Sequence, residues 1–487
     1  MTFRTYNQNQ IMLLPLSVRE CLPTDHFCFT LDEIVNNLDL SAIKASYKEN
    51  GSPAYHPALL IKVLFYAYSQ GIRSSRKIEN NLYENNAFRF LAANEHLDHG
   101  TINLFRKTHL TQITDIFAQI VIIAGNLGMA DLSDISIDGT KYKACASKKN
   151  LFNKEAIKNI KAKITEILNE ADLLDKAEDK KFGQNRGYNQ IPEELNDSKK
   201  REEKIRKLRD RLAKLNKAEK EIDNKQAEAI DSDAKKATNC LTSNTTDKEA
   251  ALMQMKDKSY QMAFNAQLAT SNQIITAFEV TNRCDDGDSL VSMIKKSEEN
   301  TREKVDTVKS DPAYFTKKNI DFLDKQQIDG YIPDKQKRAD EAGESSLSPY
   351  CRKNFAYDKS KDEFICPDGK SLKFKDKGAN GVRTYIGTEC ESCPNKDKCT
   401  KGKKKYLNYD ARLEEQKKVM RTKLNSETGK KKYAERLSEV EPVFGNIKQN
   451  MKFSGFGCRG KEMATIELGL VCIVHNLVKI SLFARKK

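Results

Sequence analysis

The sequence predicts an α/β protein in which a mixed sheet is interrupted by two long insertions and preceded by an all-α region. Three observations carry this. Short strand patterns alternate with helical ones in two blocks, around Ser133–Lys143 and Tyr260–Pro333. The hundred or so residues between the blocks step by threes and fours on a charged background. The stretch before the first block carries helical periodicity alone.

Composition narrows the partners. With 487 residues and 38% hydrophobic side chains, the chain has enough material for two to four modest cores. Lysine and arginine outnumber aspartate and glutamate by 84 to 69, a net charge of +15 that favours a polyanion. Nucleic acid comes first and an anionic membrane surface second. Met1–Tyr6 lacks the basic-then-apolar pattern of a signal peptide, and Ile466–Phe483 is broken by Glu467, His475, Asn476 and Lys479, so it reads as a buried helix. A cytoplasmic location with no membrane partner is expected, and twelve cysteines are then not a disulfide framework.

From Gln8 to about His109 the pattern is helical, with Pro57 at a first turn after His56. Short helices joined by tight turns suit helix-turn-helix DNA recognition, with Arg73, Arg76, Lys77, Arg106 and Lys107 available for phosphates; a plain helical bundle has the same pattern. A connecting helix over 113–128 leads to Ser133-Asp134-Ile135-Ser136-Ile137, a half-buried strand ending in Asp138-Gly139. An acid at a strand tip suits a metal, although Asp-Gly is also an ordinary turn pair.

Ile157, Ile160, Ile164, Ile167, Ala171 and Leu174, then Ile205, Leu208, Leu212 and Leu215, mark two amphipathic helices. The polar stretch between them holds Gly183 and Gly187, so an antiparallel hairpin is expected, its charged faces either solvated or used in dimer contact or DNA clamping. Strands over Tyr260–Gln267 and Gln273–Thr281 form a hairpin, a helix runs from Asp288 to about Glu299, and Lys304–Ser310 repeats the opening device by delivering Asp311. Helix Lys317–Lys325 and strand Gly330–Pro333 complete the block.

Cys366, then Cys390-Glu391-Ser392-Cys393 and Cys399 are spaced as ligands of a closed structural zinc site, against the alternative of reduced cysteines in a loop-rich insertion; Cys351 is a spare. Between Lys401 and Arg436 thirteen lysines and arginines face five acids, with Tyr406 and Tyr409 interleaved, which fits either phosphate tracking or a solvated basic loop. Leu437, Val440, Phe444, Ile447 and Met451 then mark one apolar helix face, with Glu441 and Lys448 two turns apart on a neighbouring face. Pro442 disfavours helical geometry at Glu441, so a kink or a helix start is expected there.

Several of these stretches resemble bacterial insertion-sequence DDE transposases. Tyr55-His56-Pro57, Tyr68–Glu79 and Asp98–Asn103 look like the N-terminal domain of that family, with departures at Gly100 and Leu104. The C-terminal helix resembles its Tyr-x2-Arg-x3-Glu-x6-Lys motif. Tyr433, Arg436 and Lys448 fit; the acid falls one residue late at Glu441, and although Glu439 has nearly the right spacing, only Glu441 keeps six residues before Lys448. Cys145 and Ala313 are further departures, and Leu470–Leu477 looks like the closing helix of the family, with His475 read as a satisfied core residue. The similarity extends from Tyr6 to Lys479.

The resemblance implies an RNase H-like core in which Asp138, Asp311 and Glu441 gather two Mg²⁺ ions (or Mn²⁺) about 4 Å apart, while Tyr433, Arg436 and Lys448 hold phosphates. It implies cleavage of double-stranded DNA at terminal inverted repeats and strand transfer into target DNA, by a homodimer on DNA in the bacterial nucleoid. A metal-dependent nuclease without strand transfer and a non-catalytic DNA-binding derivative are the alternatives. The expected organisation is a helical DNA-binding domain over 1–110, core segments over 111–150, 251–333 and 433–487, a helical hairpin insertion over 151–250 and a Cys-rich basic insertion over 334–432.

Overall fold

The computed structural model describes residues 17–47, 54–110, 113–182, 195–231, 242–334, 349–378 and 381–485; Tyr6, Gly183 and Gly187, used above, lie outside them. Seven helices come first: α1 (Phe27–Asn36), α2 (Ser41–Ala45), α3 (Pro57–Ser69), α4 (Ser75–Glu84), α5 (Asn86–Leu91), α6 (His99–Thr108) and α7 (Ile113–Asn126). Their starts follow the local chemistry. Pro57 opens α3, where its missing N–H costs nothing, and the Asp98 carboxylate caps α6 by accepting from the backbone N–H groups of Gly100 and Thr101 at 2.7 and 3.0 Å.

The first strand block and its insertion follow as β1 (Asp134–Lys143), β2 (Leu151–Asn153), α8 (Lys154–Phe182), α9 (Leu195–Asp231), β3 (Thr242–Asn244) and β4 (Ala251–Gln254). The second block is β5 (Tyr260–Ser271), β6 (Ile274–Thr281), α10 (Leu290–Thr301), β7 (Thr307–Ser310), α11 (Lys317–Gln326) and β8 (Asp329–Tyr331). Together they build a mixed sheet in the order β4-β5-β1-β7-β8, with β6 also on β5. Strand β1 is central: antiparallel to β5, parallel to β7.

Alternation sorts the side chains of the sheet. Ile135 and Ile137 join Leu290, Met293, Ile294 and Val308 in one apolar cluster. The opposite face carries Tyr142, Phe264, Ala266 and Leu268 into a larger cluster with the N-terminal helices. The last helix, over Lys461–Ala484, fills that cluster and is buried nearly all round. By length and composition it is the one helix among the described residues that could cross a membrane, and most of it is covered by protein.

The insertion between the strand blocks is an antiparallel hairpin of α8 and α9. Its seam is narrow, Ile157 and Ile164 against Leu215, Ala218 and Ile222, and is reinforced by Lys154–Asp223 and Lys161–Glu219 ion pairs at 2.6 and 2.5 Å.

The Cys-rich basic insertion, in which no strands were expected, forms a second sheet. Strands β9 (Ala356–Asp358), β10 (Glu363–Ile365), β11 (Ser371–Lys377), β12 (Arg383–Gly387) and, after helix α12 (Lys396–Cys399), β13 (Tyr406–Tyr409) pair antiparallel in the order β13-β12-β11-β10-β9. Most of these strands are only three to five residues long, and β11 buries one side chain in seven, so alternation is too weak to read. A small core of Phe355, Phe364, Leu372, Tyr385 and Leu407 holds them. Three elements end the chain: α13 (Ala411–Asn425), α14 (Glu427–Gly445), running into a π turn at Asn446–Asn450, and α15 (Lys461–Ala484).

Candidate active site

The Asp138-Gly139 pair was expected to form a turn at a strand tip, and the structure corrects this. β1 continues to Lys143 because β5 pairs with it residue by residue from Ser136 to Lys143. What ends at this point is the pairing on the other edge. The parallel ladder with β7 stops at Ile137–Ser310, so Asp138 and Asp311 are the next residues on neighbouring parallel strands, roughly 4.8 Å apart by strand spacing. Gly139 is needed for a reason other than turning: a Cβ there would run into the Gln267 side-chain amide and stand 2.7 Å from Asp286 Oδ1.

Each of the two acids has one oxygen oriented by backbone. Asp138 Oδ1 accepts from the N–H of Gly139 and Asp311 Oδ1 from that of Ala313, both at 2.8 Å. Asp138 Oδ2 pairs with Arg436 Nη2 at 3.1 Å. Burial pushes the Asp138 carboxyl above its usual range; Arg436 and the Gly139 N–H pull it back, and the neighbouring charges of Asp311 and Asp286 push it further up. Asp286 was not anticipated. Its Oδ1 accepts from Asn265 Nδ2 and Gln267 Nε2, each at 2.6 Å, so a third carboxylate is held beside Asp138 by two amides of β5. The only sequence signal was the acid-rich turn Asp285-Asp286-Gly287-Asp288.

The helix-borne half of the site comes from α14. Pro442 does not start a helix at Glu441: α14 runs through both residues, from Glu427 to Gly445. Proline leaves the carbonyl four residues earlier without a donor, and here Gln273 Nε2 donates to that Ser438 oxygen at 3.2 Å. Irregularity falls later, in the π turn that carries Lys448. Lys448 Nζ donates to Thr140 Oγ1 at 2.7 Å and lies 5.3 Å from the Tyr142 ring centre. Burial and then Lys256 lower its pKa, while Asp138 raises it.

Arg436 thus reaches Asp138 and Lys448 reaches Thr140, two residues along the same face of β1. Glu441 lies between these two anchors on the helix and is exposed. Glu439 is committed elsewhere: it accepts from Lys309 Nζ at 2.9 Å and from the Ser136 hydroxyl. Tyr433 packs against the apolar cluster of Ile135 and Ile137.

Lys309 is the second residue that the sequence reading missed. It sits on β7 two positions before Asp311, is fully buried, and lies 2.8 Å from Asp134, 2.9 Å from Glu439 and 3.6 Å from Glu435. Hydrogen bonds and ion pairs to Asp134 and Glu439 raise its pKa against the opposing effect of burial. Lys432 of α14 adds a 2.7 Å bond to Asp134. These groups tie α14 to β1 and β7 directly behind the acids.

The N-terminal cations divide. Arg73 donates to the carbonyls of Gly455 and Lys452 at 2.7 and 3.3 Å, and Arg106 to the carbonyl of Arg73 at 2.9 Å, so both guanidinium groups are spent inside the protein. Arg76, Lys77 and Lys107 are exposed. The basic run over 401–436 is no solvated loop: much of it is helix, and Arg412–Asp321, Lys417–Glu414, Arg421–Asp334 and Lys432–Asp134 neutralise part of it.

Cys366, Cys390, Cys393 and Cys399 line one cavity of about 30 Å³, and Cys351 does not. The N–H groups of Lys370 and Lys405 donate to Cys366 Sγ and Cys390 Sγ at 3.3 and 3.5 Å. Among the described residues no three His, Cys, Asp or Glu side chains stand grouped as metal ligands. The donor chemistry nonetheless suits metals: four thiols around one cavity for zinc, and crowded carboxylates with a burial-raised Asp138 for a hard cation.

Comparison with known families gives two matches. Residues 16–108 match the family described as a transposase domain (DUF772), and residues 365–481 match a transposase DDE domain. The second match includes the cysteines, Arg436, Glu441 and Lys448; Asp138 and Asp311 lie before it. No curated protein and no solved structure matches. A match to a transposase domain over its N-terminal helices and to a transposase DDE domain over the helix-borne half of the site together support an insertion-sequence DDE transposase.

Proposed function

We propose that this transposase cleaves double-stranded DNA at the ends of its element and joins the released 3′ ends to target DNA, using Asp138, Asp311 and Glu441 as its acidic triad. One observation carries the reading: β1 and β7 end their parallel pairing one residue before Asp138 and Asp311, and α14 crosses there with Arg436 and Lys448 on either side of Glu441. The strand order, antiparallel β6-β5-β1 continuing into parallel β7 and β8, supports an RNase H-like core.

The three carboxylates would hold Mg²⁺, which when bound supplies Lewis-acid polarisation of the phosphate and of the attacking oxygen. The chain's own groups do the rest. Backbone N–H groups of Gly139 and Ala313 fix one oxygen of each aspartate, and the second oxygen of Asp138 faces Arg436 at 3.1 Å, so a cation there would share it with that guanidinium. Arg436 Nε is buried without a partner, and a phosphodiester oxygen would satisfy it. Lys448 would hold a second phosphate. In-line attack by water, and later by a DNA 3′-hydroxyl, forms one P–O bond as the bond to the leaving oxygen breaks. Exposed Arg76, Lys77 and Lys107 would contact phosphates of the recognised end.

The four cysteines would hold a structural zinc that ties β10, β12 and α12 together. The experiment incubates the purified protein with DNA carrying candidate ends, with and without Mg²⁺. Nicked and then joined products are expected only with Mg²⁺. Nicks without joined products would reduce the reading to a nuclease, and binding alone would leave a DNA-binding derivative.

A further inference from the structure

The hairpin of α8 and α9 plays no part in the reading above, yet it walls a groove. Two adjoining hollows of about 450 and 380 Å³ lie between α9 on one side and β2, the residue before it and the loop after β3 on the other, and share Lys214, Thr245 and Thr246. Arg211 and Lys214 line the first from α9, and Arg459 lines it from the turn before α15. These three cations make no ion pair among the described residues. Asp210 is the only acid lining that hollow, and Lys207 beside it is paired with Glu203 at 2.6 Å.

The groove is built rather than incidental. Thr246 accepts from Asn150 Nδ2 at 2.7 Å, and the N–H of Thr245 donates to the Asn150 carbonyl at 2.9 Å, which sets a neutral polar floor. Arg459 is carried between two pinned residues: the N–H of Phe456 donates to the Lys143 carbonyl at 2.8 Å, and that of Gly460 to Asp247 Oδ2 at 2.9 Å. A neutral floor with unspent cations on both walls fits a chain of single negative charges better than a metal or an apolar ligand.

Its position relative to the site follows from β1. Lys143 bridges to Gly455, and it stands five strand residues beyond Asp138, about 17 Å at 3.4 Å per residue. That distance is about five base pairs of duplex. We propose that this groove binds the phosphodiester backbone of duplex DNA five or more base pairs from the scissile phosphate, making about three phosphate contacts through Arg211, Lys214 and Arg459. The proposal rests on the transposase reading for the identity of the polyanion.

The test measures affinity of the full chain for duplex DNA against salt, in EDTA so that nothing is cut. Three lost contacts lower the slope of log K against log [salt] by about 2.7 on long duplex. The variant Arg211→Gln/Lys214→Gln/Arg459→Gln should show that drop, and Arg459→Gln alone about 0.9. Lys158→Gln/Lys163→Gln/Arg206→Gln removes the same charge from exposed hairpin positions outside both hollows, and should lower the slope by less than about 1. On a duplex ending within about five base pairs of the cut, the wild-type slope should fall to that of the groove variant.

Unchanged slope in the groove variant, or an equal drop in the control triple, overturns the proposal. Wild-type nicking with Mg²⁺ is scored separately. Groove-dependent binding without nicking would sink the active-site reading alone, and nicking without groove dependence would sink the groove alone.

Discussion

The two halves of the site are positioned by different physics. Asp138 and Asp311 are placed by backbone pairing, since the strands that carry them are neighbours and their ladder ends one residue earlier. Arg436, Glu441 and Lys448 are placed by side chains: the Lys309 ion-pair network, the Gln273 bond to Ser438 and the His475 contacts hold α14 over the sheet. A ladder fixes position to a fraction of a residue without regard to side-chain identity, whereas a buried charge network works only while each partner remains. The strand half should therefore tolerate change around it, and the helix half should fail when one anchor is lost.

The largest effect is expected at the acids themselves. Asp311→Ala and Glu441→Gln should each abolish Mg²⁺-dependent nicking while retaining DNA binding, whereas Glu439→Gln, which keeps a side-chain oxygen to accept from Lys309, should retain detectable nicking. If Glu439→Gln is dead and Glu441→Gln active, the helix-borne acid has been assigned to the wrong residue.

Removing the anchor comes next. Lys309→Met leaves Asp134, Glu435 and Glu439 facing a buried gap, and should cost about 3–5 kcal/mol in urea unfolding. A loss under about 1 kcal/mol would mean the carboxylates simply reach water, and the network is not what holds α14.

Acid pH should loosen the same half. His475 is fully buried, lies 2.9 Å from both the Gln273 carbonyl oxygen and Asn446 Nδ2 of the π turn, and burial pushes its pKa down from 6.5 to about 4. Between those values the unfolded chain binds the proton and the native one does not, so stability falls as pH drops from 6.5 to about 4. The loss should approach roughly 3 kcal/mol. Urea melts at several pH values check it, and His475→Gln should flatten that dependence.

The smallest effect tests the strand half. Gly139→Ala pushes a methyl group against Gln267 and Asp286, costing about 1–3 kcal/mol. Nicking should survive at a reduced level, because the β1–β7 ladder still delivers both aspartates. Complete loss would show that the amides of β5 matter as much as the backbone pairing.

Much of the strand half was legible in the sequence. Ile135 and Ile137 marked β1, Lys304–Ser310 marked the approach to Asp311, and the hairpin of β5 and β6 was placed within a few residues. These are local patterns of period two. The turn assigned to Asp138-Gly139 was not correct, because Gly139 answers to Gln267 and Asp286, residues distant in sequence. The five-stranded sheet was missed since short, charge-rich strands carry little alternation. The basic run looked free because three of its partner acids, Asp134, Asp321 and Asp334, lie far away in sequence, the nearest of them 87 residues from its cation.

By itself the sequence determined the N-terminal helices, the helical hairpin and the strands that carry or deliver Asp138 and Asp311, because propensity and periodicity act over a few residues. Only the tertiary structure decided which cations are spent and which are available, that Lys309 and Asp286 stand close to the candidate acids, and that Glu439 is committed while Glu441 is exposed. The reason is range. A charge's role is set by what lies within a few ångströms in space, and for Lys309 those partners come from sequence positions 134, 435 and 439.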